Sequence, residues 1–168
     1  MLAGVGAVRN PSPKRMLIVG GEGDRSEWSE RRILPEPGGE TSEGPRILIV
    51  EDDFFVALDL EAGLTDAGMK VVGPARTAEE AVALARAEKP SLAVMDIRLA
   101  SARDGIDAAL DLYRDLGIRS IFASAHADPS FRKRAEPAAP LGWLQKPYTV
   151  DAVVNTVRQA IAELARKH

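Results

Sequence analysis

From Arg46 onward, short β-rich apolar runs alternate with segments of helical spacing, and this alternation limits the fold more than any other feature. The runs are Ile47-Leu-Ile-Val50, Lys70-Val-Val-Gly-Pro-Ala75, Leu92-Ala-Val-Met95, Ser120-Ile-Phe-Ala-Ser124 and Leu141-Gly-Trp-Leu-Gln145. Short apolar runs bounded by turn-forming residues read as strands buried on both faces. Between the first two runs, Phe55, Leu58, Ala62 and Thr65/Asp66 recur at helical spacing before Gly68. Thr77 followed by Glu80 reads as a capping box opening a helix with Ala78, Ala81, Val82 and Ala85 on its apolar face. A third helix from about Gly105 carries Ile106, Ala109, Leu110, Tyr113 and Leu116, and Gly117 stops it. The last helix has a strong stripe of Val150, Val153, Val154, Val157, Ile161 and Leu164. The fourth helical segment, Asp128 to Ala135, is short and charged, and Pro137 and Pro140 cut it off. One or two mobile turns are expected there. Strands alternating with helices imply an α/β fold: a parallel sheet with helices on both faces and right-handed crossovers.

The first 45 residues differ from the rest. They hold 8 of the 14 glycines and 5 of the 11 prolines. That composition predicts a flexible extension over residues 1–45 rather than a second domain, and one folded domain over 46–168. Lys14 to Gly23 superficially looks like a strand leading into a phosphate loop, but Asp24 to Arg32 lacks the apolar helix face that should follow.

Composition removes several classes of function. With no cysteine, disulfides, thiolate catalysis and Cys-ligated zinc are excluded. A net charge of −3 does not suggest a nucleic-acid partner. No apolar run approaches the length of a membrane span, and Met1 to Val8 is too short, and lacks the basic leader, for a signal peptide. A soluble cytoplasmic protein is expected.

In a parallel sheet, ligands gather at the carboxyl ends of the strands. Here those ends carry Glu51-Asp52-Asp53, Asp96, Ser124 with Ala125-His126, and Lys146-Pro147. Carboxylates brought together repel unless a cation sits among them. Magnesium, a hard ion with oxygen ligands, suits that place. One lysine in such a set is a point-charge partner for a phosphoryl group.

Four ordered motifs carry a resemblance: Ile47-Leu-Ile-Val-Glu-Asp52, Val94-Met-Asp-Ile-Arg98, Phe122-Ala-Ser124 and Gln145-Lys-Pro147. Asp52, Asp96, Ser124 and Lys146 follow one another at intervals of 44, 28 and 22 residues. Each motif alone is common, but the ordered set is specific. Residues 46–166 resemble a receiver domain of bacterial two-component response regulators. The resemblance implies a flavodoxin-like five-stranded sheet of order 2-1-3-4-5. It also implies phosphorylation of Asp96, with Mg2+, by a sensor histidine kinase or a histidine phosphotransfer protein.

The resemblance further implies a role for each matching residue. Asp52 would hold magnesium directly and Glu51 through water, joined by Asp96 and the Arg98 backbone carbonyl. Glu51 is one methylene longer than the more usual Asp. Asp53 reads as the first residue of the helix, where its charge suits the dipole. Ser124 would bind a phosphoryl oxygen, with Ala125 leaving room for the donor and Lys146 contacting the phosphate. Trp143 stands where relatives usually carry a switching Tyr or Phe. Pro147 is a candidate for a cis peptide bond. His126 reads equally well as a residue overhanging the site or as a solvated loop residue.

Three classes of function compete. The first is a phosphorylation-dependent switch or phosphorelay intermediate acting through a downstream protein target. The second is a receiver-like binding module that does not use phosphorylation, which would require a lost site group; none is lost. The third is a metal-dependent phosphatase, which would want Asp-x-Asp where Asp96 is followed by Ile97 and Arg98. The first is expected: a phosphoacceptor with at most self-catalysed transfer and autodephosphorylation, rather than an enzyme. The chain resembles the stand-alone receivers common in alphaproteobacteria, with output expected at the face formed by helix four, strand five and helix five.

Overall fold

A computed structural model of the protein describes residues 44–125 and 128–166. The expected extension over 1–45 falls almost entirely outside those residues, as does His126. Five strands and five helices alternate: β1 (Arg46–Val50), α1 (Phe54–Asp66), β2 (Lys70–Ala75), α2 (Ala78–Glu88), β3 (Leu92–Asp96), α3 (Gly105–Leu116), β4 (Ser120–Ser124), α4 (Pro129–Ala135), β5 (Gly142–Gln145) and α5 (Val150–Arg166). All four strand pairings are parallel, and the order is β2-β1-β3-β4-β5. This is the flavodoxin-like arrangement expected from the sequence.

Strand alternation sorts the core into two layers. Ile47, Ile49, Leu92 and Val94 face α1 and α5, where Leu60, Leu64, Val153 and Val157 cover them. Leu48, Val50, Ala93 and Met95 face the other way, toward Ala81 and Ala85 of α2, Ile106 and Leu112 of α3, and Ala135 of α4. Small residues on α2 let that helix lie close to the sheet.

Two helices turn a different face to the core than their spacing suggested. In α1 the buried residues are Ala57, Leu60 and Leu64, whereas Phe55 and Leu58 are exposed. The stretch from Phe54 to Leu64 is apolar nearly all round, so two stripes compete in the sequence. In α3 the core takes Ala108, Ala109 and Leu112, leaving Tyr113 and Leu116 at the surface.

Helix caps explain the boundaries. Asp53 is the N-cap of α1 rather than its first residue: its Oδ1 accepts from the N–H groups of Phe55 at 2.9 Å and Val56 at 3.1 Å. Thr77 caps α2 by accepting from the Glu80 N–H, but the Glu80 carboxylate accepts from Arg76 rather than from Thr77. The reciprocal half of the expected capping box is therefore displaced by one residue. A complete box opens α3 instead, between Asp104 and Asp107. Gly117 ends α3 in the left-handed region, at φ 69°, where a Cβ is disfavoured. Helix α4 has seven residues, followed by a 3-10 turn at Glu136–Ala138.

Candidate functional site

The site follows from strand parity. Glu51 continues the Ile47–Ile49 side of β1, Asp96 ends the Leu92–Val94 side of β3, and Lys146 follows Leu144 by two residues after β5. All three thus start from the sheet face that α1 and α5 cover. The Lys146 Nζ donates to Asp96 Oδ2 at 2.8 Å and to Glu51 Oε2 at 2.9 Å. One ammonium joins two carboxylates that are 45 residues apart in the chain. The Glu51 side chain is 3% exposed and that of Asp96 10%.

Glu51, Asp52 and Asp96 each offer a carboxylate oxygen, all within 4.8 Å of one another. Three hard oxygen donors at this separation, two of them buried, fit a divalent cation such as magnesium. The other Glu51 oxygen, Oε1, accepts from the Asp53 N–H at 3.2 Å. Oδ1 of Asp96 accepts from the Arg98 N–H at 3.3 Å.

The electrostatics match this packing. Burial pushes the Glu51 carboxyl above its ordinary range; the Lys146 hydrogen bond opposes the shift and the Asp96 charge adds to it. Burial pulls the Lys146 ammonium down, but its bonds to Asp96 and Glu51 outweigh that and hold its pKa above the usual lysine value.

The remaining expected residues lie around this core. Ser124 ends β4, half-buried, in register with Gln145. Ala125 is exposed beside it and, with Val56, Lys146, Pro147 and Tyr148, lines a cleft of about 420 Å³. The Lys146–Pro147 peptide is cis. Trp143 lies opposite Phe122 in the register of β4 and β5 and stacks on it, with 4.9 Å between ring centroids.

Other contributors carried weaker signals. A Cβ on Gly105 would fall 1.9 Å from the Asp96 carbonyl oxygen, so glycine there permits the start of α3 to sit against the Asp96 backbone. Arg134 of α4 pairs with Asp104 at 2.8 Å and with Asp107 at 3.3 Å, tying α4 to the cap of α3. Tyr148 packs against the α1–α5 core layer, and its hydroxyl is buried with no hydrogen-bond partner among the described residues. The run Lys146-Pro-Tyr148 held that residue in plain view, but a tyrosine after a proline carries no pattern of its own.

Comparisons with known proteins agree with this geometry. Residues 47–158 match the family model of the response regulator receiver domain. The chain is 32% identical over 117 residues to the transcriptional regulatory protein PdtaR of Mycobacterium tuberculosis, covering 70% of this chain and 57% of that one. It is 36% identical over 129 residues to the phyllosphere-induced regulator PhyR of Methylorubrum extorquens, covering 74% and 48% respectively. The chain thus spans about half the length of these two relatives. Among solved structures, the signal receiver domain of a modulated diguanylate cyclase from Desulfovibrio desulfuricans superimposes with a TM-score of 0.69 at 32% identity, covering 74% of this chain and 99% of that one. With its sheet order, its acidic cluster and these matches in agreement, the chain belongs to the response regulator receiver domain family.

Proposed function

We propose that this protein is a phosphorylation-dependent switch or phosphorelay intermediate in which Asp96 is the phosphoacceptor. The observation that carries the reading is the Lys146 ammonium held between Asp96 and Glu51. An Asp96 oxygen attacks phosphorus of a phosphohistidine. The O–P bond forms as the N–P bond breaks, and the electron pair leaves with the imidazole nitrogen. The domain positions the groups and neutralises charge. Asp52, Asp96 and the Arg98 carbonyl would hold magnesium directly, and Glu51 through water. The ion would neutralise charge on the transferring group. Lys146 contacts the phosphoryl group, Ser124 donates to it, and Ala125 leaves room for the donor.

The partners implied are a sensor histidine kinase or histidine phosphotransfer protein upstream and a protein target downstream. The exposed Phe54 and Phe55, which immediately follow the Asp53 cap, give an approaching protein an apolar edge. Among the described residues no helix is long and apolar enough to cross a membrane, and we assign the protein to the cytoplasm. We place this function in residues 46–168, without a requirement for residues 1–45.

Incubation with acetyl phosphate and Mg2+ tests the reading by intact mass. The expected result is one added phosphoryl group on wild type and none on Asp96→Asn. Undiminished modification of the variant, mapped to another residue, overturns it.

A further inference from the structure

The Tyr148 hydroxyl is a buried donor without an acceptor among the described residues. Buried hydroxyls are nearly always paired, so an orphan calls for a physical account. Tyr148 packs against the core layer on the α1–α5 side of the sheet, the layer that contains Ile47, Ile49 and Val94. Glu51 and Asp96 continue that same side at the ends of β1 and β3. Burial raises the phenol to about 12, and the charges of Lys146, Glu51 and Asp96 all act on it. The hydroxyl therefore keeps its proton at neutral pH and is a donor on the side of the sheet that also carries the two carboxylates.

Neither carboxylate needs that donor in the resting protein. Glu51 already accepts from Lys146 and from the Asp53 N–H, and Asp96 accepts from Lys146 and from the Arg98 N–H. Phosphorylation changes the balance. The new dianionic group draws the ammonium toward its own oxygens, which weakens the bond from Lys146 to Glu51. The Asp53 N–H still serves Oε1, but Oε2 of a carboxylate only 3% exposed then loses its donor, at a cost well above that of a surface group.

We propose that Tyr148 is a positioning residue of the phosphoryl site, whose hydroxyl takes over the Glu51 carboxylate when Lys146 turns to the phosphoryl group. This inference rests on Asp96 being the phosphoacceptor. The extra methylene of Glu51, relative to aspartate, gives it the reach to meet a donor rooted beyond the end of β5. Tyr148 pays no part in bond making; it keeps Glu51 satisfied so that Lys146 is free to bind phosphate.

Beryllofluoride with Mg2+, titrated by tryptophan fluorescence or calorimetry, tests this on the full chain. Tyr148→Phe removes only the hydroxyl, and the uncomplexed variant should melt at or above the wild-type temperature. Its beryllofluoride affinity should fall about tenfold, the scale of a hydrogen bond to a charged acceptor. In a Glu51→Gln background the same substitution should change affinity by less than about twofold, because the charged acceptor is gone. An unchanged affinity for Tyr148→Phe overturns the proposal, and so does an equal loss in both backgrounds. Wild-type protein that binds no beryllofluoride overturns the phosphoacceptor reading as well, whereas wild-type binding with an unaffected Tyr148→Phe overturns the tyrosine's role alone.

Discussion

The Arg132 guanidinium carbon lies 4.8 Å from the centre of the Trp143 ring. The same indole stacks on Phe122 with an interplanar angle of 26°. A tryptophan that changes rotamer on activation must give up both contacts. The cation–π contact contributes about 0.5–1 kcal/mol at an exposed site, and an aromatic pair about 0.5–1.5 kcal/mol. Arg132 thus favours the rotamer in which Trp143 stacks on Phe122. Arg132→Ala should lower the beryllofluoride concentration at the midpoint of the Trp143 fluorescence change by about two- to fivefold, measured in a Trp28→Phe background. An unmoved midpoint would show that the guanidinium does not restrain the indole.

Ser124 stands two residues after Phe122 on β4, one pleat repeat beyond the residue on which Trp143 stacks. If the hydroxyl is drawn toward a phosphoryl oxygen, the end of β4 moves with it and the Phe122–Trp143 pair is disturbed. Ser124→Ala should still be phosphorylated on Asp96, more slowly. It should lose most of the beryllofluoride-induced change in amide exchange over residues 128–148. A full wild-type exchange response in the variant would rule out this route.

Glu51 supplies a pH test with a definite sign. Its folded pKa is raised by burial, against the Lys146 bond. The folded state therefore holds that proton more tightly than the unfolded chain does. The stability linked to it is present below the ordinary value of 4.5 and is lost as pH rises through the raised one. Without metal, Glu51→Gln should gain stability relative to wild type as pH rises from 4.5 through the raised value, and keep that gain at higher pH. Added Mg2+ should narrow the difference, since the cation favours the ionised carboxylate. Denaturant midpoints at several pH values measure this, and parallel pH profiles for the two proteins would contradict it.

The sheet was legible because each strand is a short, mostly apolar run with a polar residue at its end or just after it. Those terminal residues, Asp52, Asp96, Ser124 and Lys146, could be placed along one edge from order and spacing alone. Helix faces were harder to read. The sequence of α1 offers Phe55 and Leu58 as readily as Leu60 and Leu64, and only the phase set by the Asp53 cap decides between them. The α2 cap shows a related limit: Glu80 could reach either Thr77 or Arg76, and local loop geometry chose Arg76. The burial of Tyr148 and the contact of Arg132 with Trp143 depend on tertiary packing, and no local pattern encodes those.

Gly105 connects the fold to the chemistry most directly. Its N–H donates to the Ile97 carbonyl at 2.8 Å, fastening α3 to the turn that follows Asp96. An added Cβ would lie 1.9 Å from the Asp96 carbonyl oxygen and 3.0 Å from the Met95 side chain. Both neighbours belong to β3, which is buried along its whole length, so the strand has little room to yield. Either α3 lifts away and strains the Asp104–Asp107 cap, or the Asp96 backbone shifts. Overpacking of this kind costs about 1–3 kcal/mol, which exceeds the gain of up to about 1 kcal/mol from replacing glycine in a helix. Gly105→Ala should therefore lower the melting temperature by several degrees. Activity should suffer more than stability, because a displacement near 1 Å at a reacting group can slow a reaction about a hundredfold. At 25 °C, where the variant is still folded by circular dichroism, phosphorylation by acetyl phosphate should be at least about tenfold slower than in wild type. A variant with the wild-type rate and melting temperature would show that the start of α3 can move without disturbing Asp96.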